Sequence, residues 1–436
     1  MNTNKKWIPL LLGSIILTSA GCSADGGDKA PSTSAAATET KPEPVTVSVF
    51  QQGANITDEE FQAIVAEPVK KKYPHITVEL VRADKDKTPQ NLVASGALPD
   101  LVFTESLGLN TFKDLKAIQD LTSLLKENNF DLNRLEPFAV ETIKAFGEKG
   151  EFYAIPLSVN FSATFYNKDL FDKFGVPYPK DGQTWEEMTE LGKRLTRVEN
   201  GQQYYGFYPG GLNLMAGEAS LPYYDPKTQK ATLTGDGWAR VFQTYKAVWD
   251  IPGNQVTGNN ITTFNRDRTI AMMADFGARL GELETLHNQG NPMNWDLTTF
   301  PVFKDNPKTV AETQLHMLLL SSASKNKNAA MKVLEVVTSD ETQLEMNKRG
   351  RKTVLKDPKM KESFGANLNS LKGKNVNAIF YGTPAVLRYT DKYAVIARGQ
   401  LLPSITKITQ EGRDINTVLR ETEELANKKI EEALRQ

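Results

Sequence analysis

Short β-rich runs alternate with amphipathic stretches along most of the chain. The run VTVSVF at 45–50 predicts a strand. After a polar loop, Thr57 stands three residues before Glu60, a spacing that lets the threonine cap a helix while the glutamate bonds back to the cap. This helix is expected to run toward Lys72, with a kink or restart at Pro68, which has no amide proton to donate. A second strand is expected at 76–81, a short helix at 90–94, and a third strand at 101–103. Residues 153–156 and 162–166 read as further strands. Thr184 with Glu187 forms a second capping box, opening a helix whose apolar face is Met188, Leu191 and Leu195. Ile415, Val418, Leu419, Leu425, Ala426, Ile430 and Leu434 share one face of a last helix, read as structural. Such alternation implies the α/β class with a parallel, doubly wound sheet, whose ligands bind beyond the carboxyl ends of the strands. The residues there are Phe50, Gln51 and Gln52 after the first strand, and Thr104, Glu105 and Ser106 after the third.

The first 44 residues follow another pattern. Lys5 and Lys6 precede an apolar run at 7–17, and the small residues Thr18, Ser19, Ala20 and Gly21 lead to Cys22. The run is about 11 residues, short of the roughly 20 that cross a bilayer, and Pro9 interrupts it. Residues 1–21 thus have the layout of a secretory signal. The small residues before Cys22 resemble a bacterial lipobox, in which the cysteine is diacylated after cleavage; Ser19 departs from the commoner leucine. The alternative is plain secretion with cleavage after Ala20. Two acyl chains, each contributing about 0.8 kcal/mol per buried CH₂, would anchor the protein to a membrane. Residues 23–44 contain no Val, Ile, Leu, Met or aromatic side chain, so 22–44 is expected to be a lipidated cysteine on a flexible tether reaching about 25 Å.

Composition narrows the function. Lys+Arg 52 against Asp+Glu 53 gives a net charge of −1, without the basic excess that nucleic-acid binding needs. One cysteine excludes a disulfide framework. His75, His287 and His316 have no metal-site spacing, and no metal or cofactor is expected. The motifs GxSxG, HExxH, the Walker loop and GxGxxG are absent from the sequence. Carboxylate pairs for glycoside hydrolysis remain open among so many acidic residues.

Several motifs occur in a telling order. They are Gly96 to Asp100 before a strand, YAIP at 153–156, YNKDL at 166–170, TWEE at 184–187, Ala271-Met272-Met273 leading into Asp275-Phe276-Gly277, Asn294-Trp295-Asp296 before Pro301, and Ser339-Asp340-Glu341. Together, over 45–436, they resemble the family 1 extracellular solute-binding proteins of the maltose-binding class. The resemblance implies a periplasmic-binding-protein-like fold: two lobes with mixed, mostly parallel sheets flanked by helices, joined by a hinge with two to three crossovers. It puts the crossings near 158–160, 308–312 and 339–346, giving an N-lobe of 45–158 and 312–342 and a C-lobe of 159–311 and 343–436. It further implies a monomeric, lipid-anchored carrier on the outer face of a bacterial, Gram-positive cytoplasmic membrane. Such a carrier takes a sugar, notably an oligosaccharide, to the transmembrane subunits of an ABC permease, and is not an enzyme. An extracellular carbohydrate-active enzyme and a binder of a non-sugar solute are the alternatives.

Sugar sites mix stacking aromatics with paired donors and acceptors. The candidates are Gln51, from its place after the first strand; Glu105, Asn160, Phe276 and Arg279, by position in the resemblance; Tyr208, at a strand end before Pro209-Gly210-Gly211; and Tyr381, with Tyr393, as C-terminal contributors. Asn160 stands where maltose binders carry an acidic contact residue, and Thr104 where they carry a tryptophan. Arg279 has a second reading as a salt-bridge partner of Glu282, and Asn160 as a strand cap. Of the cluster Tyr204, Tyr205, Phe207 and Tyr208, at most half can face a cleft, because alternate strand residues point to opposite faces. Trp185 and Trp238 are expected in the core or as surface cover.

Overall fold

A computed structural model of the protein describes residues 42–256, 259–311, 314–385, 387–388 and 390–435. The expected leader, Cys22, nearly all of the tether, and Glu312 lie outside the described residues.

The first sheet is built from β1 (Val45–Gln51), β2 (Ile76–Arg82), β3 (Leu101–Glu105), β4 (Ile155–Asn160) and, arriving much later in the chain, β13 (Gln314–Leu320); its order is β2-β1-β3-β13-β4. Leu101, Val102, Phe103 and Thr104 are all buried, the continuous burial of a strand covered by helices on both faces. The second sheet has the order β11-β5-β10-β7-β6, from β5 (Ser162–Asn167), β6 (Arg197–Glu199), β7 (Gln202–Tyr208), β10 (Ile270–Phe276) and β11 (Trp295–Thr299). Two-residue strands pair beside them, β8 (Tyr224–Asp225) with β9 (Lys230–Ala231) and β12 (Thr309–Val310) with β14 (Thr383–Pro384). In the two large sheets β1 runs parallel to β2 and β3, and β10 to β7, and the other strand pairings of these two sheets are antiparallel. The sheets are therefore mixed, as expected, but not mostly parallel. In the first sheet β13 arrives from the other domain and runs against both of its neighbours; in the second, β5 runs against β10 and β11, and β6 against β7.

Local chemistry explains the helices. Thr57 Oγ1 accepts from Glu60 N at 3.1 Å and Glu60 Oε2 from Thr57 N at 3.2 Å, so the capping box forms. Helical turns then follow at Asp58–Phe61, Gln62–Ala66 and Glu67–Lys72. Pro68 opens the last segment, and the preceding turn widens to π geometry, so the proline restarts the helix without ending it. The Thr184–Glu187 box opens Trp185–Leu195 in the same way. Trp185 and Trp238 are both buried, Trp185 with its ring 5.3 Å from Phe300 in an edge contact. The last helix, Ile415–Leu434, packs on Lys392–Thr409 and buries Val418, Leu419, Ala426 and Ile430; Leu425 and Leu434, assigned to the same face from the sequence, are exposed.

The chain changes domain abruptly. Only Phe161 separates β4 from β5. It returns between β11 and β13, passing β12, and leaves again beyond Gly350. The helix Asp340–Lys348 stays with the first sheet, because its Gln343 is buried and donates to Leu157 O at 2.9 Å and Val337 O at 2.8 Å. The third passage thus falls after the expected 339–346. Val159 N bonds to Lys352 O and Glu136 N to Val354 O, each at 2.8 Å, and Phe364, Leu371 and Ile379 then join the core formed by Phe165, Met273 and Trp295.

Candidate functional site

A cavity of about 900 Å³ opens where these passages converge, walled by both domains. Its first-domain wall is a set of side chains brought together by strand register. His316 on β13 pairs with Glu105 on β3 and with Ser158 on β4, and Gln314 pairs with Asn160. Register partners share a sheet face, as do residues two apart on a strand, so these five side chains form one polar surface, and all five line the cavity. Gly53, with φ of +86°, turns the loop after β1 over this surface; a Cβ there would lie 3.3 Å from Glu105 Cγ. On the opposite wall, Gly277 N bonds to Phe161 O at 2.7 Å, and a Cβ on Gly277 would meet the Phe161 ring at 2.4 Å.

Three guanidinium groups border the cavity, each held by carboxylates. Arg351 bonds to both oxygens of Glu60, at 3.0 and 2.9 Å, and to Asn55 O at 2.6 Å. Arg82 meets Asp58 at 2.5 Å and Ile56 O at 2.7 Å, and also bonds to Gln51 Oε1. Arg349 meets Glu345 at 2.8 Å and Glu59 at 3.4 Å. Burial works to raise the Glu60 carboxyl, but the hydrogen bond and charge of Arg351 and the Thr57 amide outweigh it and hold it below its ordinary value. Arg351 Nη1 also lies 3.2 Å from His316 Nδ1, with Ser158 Oγ at 3.0 Å. A guanidinium can only donate, so Nδ1 accepts and the imidazole is the neutral tautomer protonated on Nε2. Enclosure of the ring, then the Arg351 charge, hold its pKa far below the usual value. Burial raises Glu105, against the pull of the Arg398 charge and the Leu107 amide.

Of the residues singled out from the sequence, Glu105 and Asn160 line the cavity together. Gln51 stands just before the lining loop, its Nε2 donating to Ala54 O at 2.7 Å. The others are placed elsewhere. Arg279 is buried behind the second wall, meeting Asp275 at 2.7 Å and Glu282 at 2.8 Å. Phe276 ends β10 half-buried, packed against the core. Tyr208 lines a separate small cavity with Pro209, Tyr245 and Trp249, its hydroxyl raised by burial and by Asp275. Tyr381 donates to Pro307 O at 3.2 Å, and Tyr393 packs on Tyr224 with ring centroids 5.3 Å apart. Sequence reasoning missed His316, Gln314, Ser158 and Arg351. The one signal for the arginine was Glu60, read as a capping residue, which also serves as its partner. Among the described residues no cluster of His, Cys, Asp or Glu is suited to a metal ion, and no helix is long and apolar enough to cross a membrane.

The arrangement has known counterparts. An ABC substrate-binding protein from Listeria monocytogenes in complex with cycloalternan shares the fold with a TM-score of 0.70 at 18% identity, over 89% of this chain and 99% of that one. A sugar transporter from Rhizobium etli in an open conformation gives 0.69 at 19%, over 88% and 99%. A mannitol-binding protein of Pseudomonas aeruginosa is 28% identical over 27% of this chain and 29% of its own length. An arabinooligosaccharide-binding protein of Halalkalibacterium halodurans is 27% identical over 34% and 31%, and a sn-glycerol-3-phosphate-binding periplasmic protein of Pectobacterium atrosepticum 26% identical over 28% and 29%. The matches thus span about three tenths of the length of these relatives. The model of the family described as bacterial extracellular solute-binding protein matches residues 53–344, more than half of the chain. With two α/β domains around one cleft, the chain belongs to the bacterial extracellular solute-binding proteins.

Proposed function

We propose that this chain captures a carbohydrate in the cleft between its domains and delivers it to the membrane subunits of an ATP-driven importer. It acts as a carrier, not as an enzyme. The observation that carries this reading is the polar surface of Glu105, His316, Gln314 and Asn160 lining the cavity where the chain passes between domains. A carboxylate and two amides supply the acceptors and donors that sugar hydroxyls pair with. Relatives that bind mannitol and arabinooligosaccharides support the ligand class. Ligand touching both domains favours the closed arrangement by its differential affinity, and the short passages at Phe161 and around Gly350 absorb the rotation. The leader at 1–21 and diacylated Cys22 on a tether through 44 would keep the carrier, a monomer, at the outer face of a Gram-positive membrane; the run of small residues before the cysteine supports this. Tyr208, Phe276, Arg279 and Tyr381 are proposed to shape or support the far wall.

A thermal-shift screen of the purified chain against sugars, polyols, amino acids, peptides and metal ions tests the reading. A ligand at 100 times its dissociation constant adds about 2.7 kcal/mol to stability. A raised melting temperature with related saccharides is expected, and a shift with an amino acid or peptide alone contradicts it.

A further inference from the structure

We infer that the cleft selects uncharged, hydroxyl-rich solutes and rejects phosphorylated ones, with the Glu105 carboxylate as the selecting group. This rests on the carbohydrate reading above and decides a question the relatives leave open, since they include binders of both a polyol and a sugar-like phosphate ester.

Phosphate recognition needs guanidinium or ammonium donors aimed into the site and free to form paired bonds to oxygen. Here each guanidinium on the cavity wall already faces a carboxylate: Arg351 engages both oxygens of Glu60, Arg82 meets Asp58, and Arg349 lies between Glu345 and Glu59. Arg279, behind the second wall, is closed off by Asp275 and Glu282. His316 contributes no positive charge, because its Nδ1 accepts from Arg351. Glu105 differs from these acids. It lies on the wall with no ion pair within 4 Å among the described residues, and the charge it feels, that of Arg398, comes from the helix Lys392–Thr409, outside the lining.

A phosphate monoester entering this space would face the Glu105 carboxylate and arginines whose charge carboxylates already compensate, and to pair with Arg351 it would have to displace Glu60. Like charges in a partly enclosed site repel strongly, and displacing Glu60, whose side chain is 25% exposed, from Arg351 strands a largely buried carboxylate. A polyol meets the opposite situation. Its hydroxyls donate to the carboxylate, and the Asn160 and Gln314 amides, which make no side-chain hydrogen bond among the described residues, both donate and accept.

Isothermal titration of the purified chain with matched pairs tests this: mannitol and mannitol 1-phosphate, glycerol and sn-glycerol 3-phosphate, and a disaccharide with its phosphorylated form, at low and at high salt. The expected result is binding of a neutral member with a dissociation constant insensitive to salt, and at least 100-fold weaker binding of its phosphorylated partner. E105Q keeps the shape of the side chain; it should weaken the neutral ligand by about 10- to 100-fold and narrow the discrimination against phosphate. Equal or tighter binding of the phosphorylated member, falling as salt rises, overturns the inference while leaving the carbohydrate reading intact. Binding of an amino acid or peptide with no saccharide or polyol, charged or neutral, overturns the carbohydrate reading itself. The salt dependence is read on the unmodified chain, so the result does not depend on how the variant folds.

Discussion

The two walls of the cleft treat polar groups in opposite ways. On the first-domain wall, side chains on three strands converge on one face, and Glu105, Asn160 and Gln314 remain available to a ligand. Behind the second-domain wall, Arg279 is held by Asp275 and by the wall residue Glu282, with its side chain only 8% exposed. Position at a strand end brings a residue near a cleft, but only uncommitted hydrogen-bonding capacity makes it a ligand group. Arg279 is therefore a positioning residue that fixes the turn after β10. The arginines of the first wall do similar work at the passage between domains, Arg351 by joining the crossing segment to the capped helix start at Glu60.

Breaking the Arg351 clamp should give the largest effect. Arg351→Met strands the partly buried Glu60 carboxylate and removes the donor to His316, and about 2 to 4 kcal/mol of stability should be lost in urea unfolding. Combining it with Glu60→Gln should recover part of that loss; a fully additive double variant would show that the two residues do not act as a pair.

The two domains also differ in how one carboxyl group of each responds to pH. Glu60 has a folded pKa below its unfolded one, so its contribution is present above about pH 4.5 and is lost as the medium is acidified through the folded value. Glu218, in the second domain, behaves oppositely. It is fully buried, with Oε1 accepting from Phe303 N at 3.1 Å. Burial pushes its pKa up to about 8, against the Phe303 amide and the Arg240 charge. The folded state therefore holds a proton that the unfolded state releases, and this group lowers stability as pH rises from about 4.5 to about 8. Glu218→Gln should raise the melting temperature at pH 8 and change it little at pH 5. An equal change at both would sink that assignment.

A smaller effect is expected from Thr57→Ala and Thr184→Ala, at about 1 kcal/mol each for the lost cap. The Thr57 variant should also weaken ligand binding, because its helix start carries Glu60 and hence Arg351. If Thr184→Ala perturbs binding as much, the two walls are not distinct in the way described.

What could be read from the sequence followed local rules. Both capping boxes, the strand at 162–167, the restart at Pro68 and the last helix depend on residues within a few positions of one another. The polar face of the site does not. His316 meets Glu105 and Ser158 only because β13 returns from the other domain and inserts between β3 and β4, and no periodicity near position 316 encodes that register. The same insertion accounts for the antiparallel pairs of the first sheet. Arg279 was identifiable as lying near the cleft, but its commitment to Asp275 and Glu282 is a matter of side-chain geometry that spacing alone left open.

The contrast between the walls is tested most directly by titrating one bound neutral saccharide into three proteins, the unmodified chain, E105Q and R279K. E105Q should lose at least 10-fold in affinity, while R279K, which keeps a cation against Asp275, should stay within about 3-fold and lose stability instead. A large affinity loss in R279K with E105Q unchanged would place the ligand on the second wall and overturn the contrast between the walls.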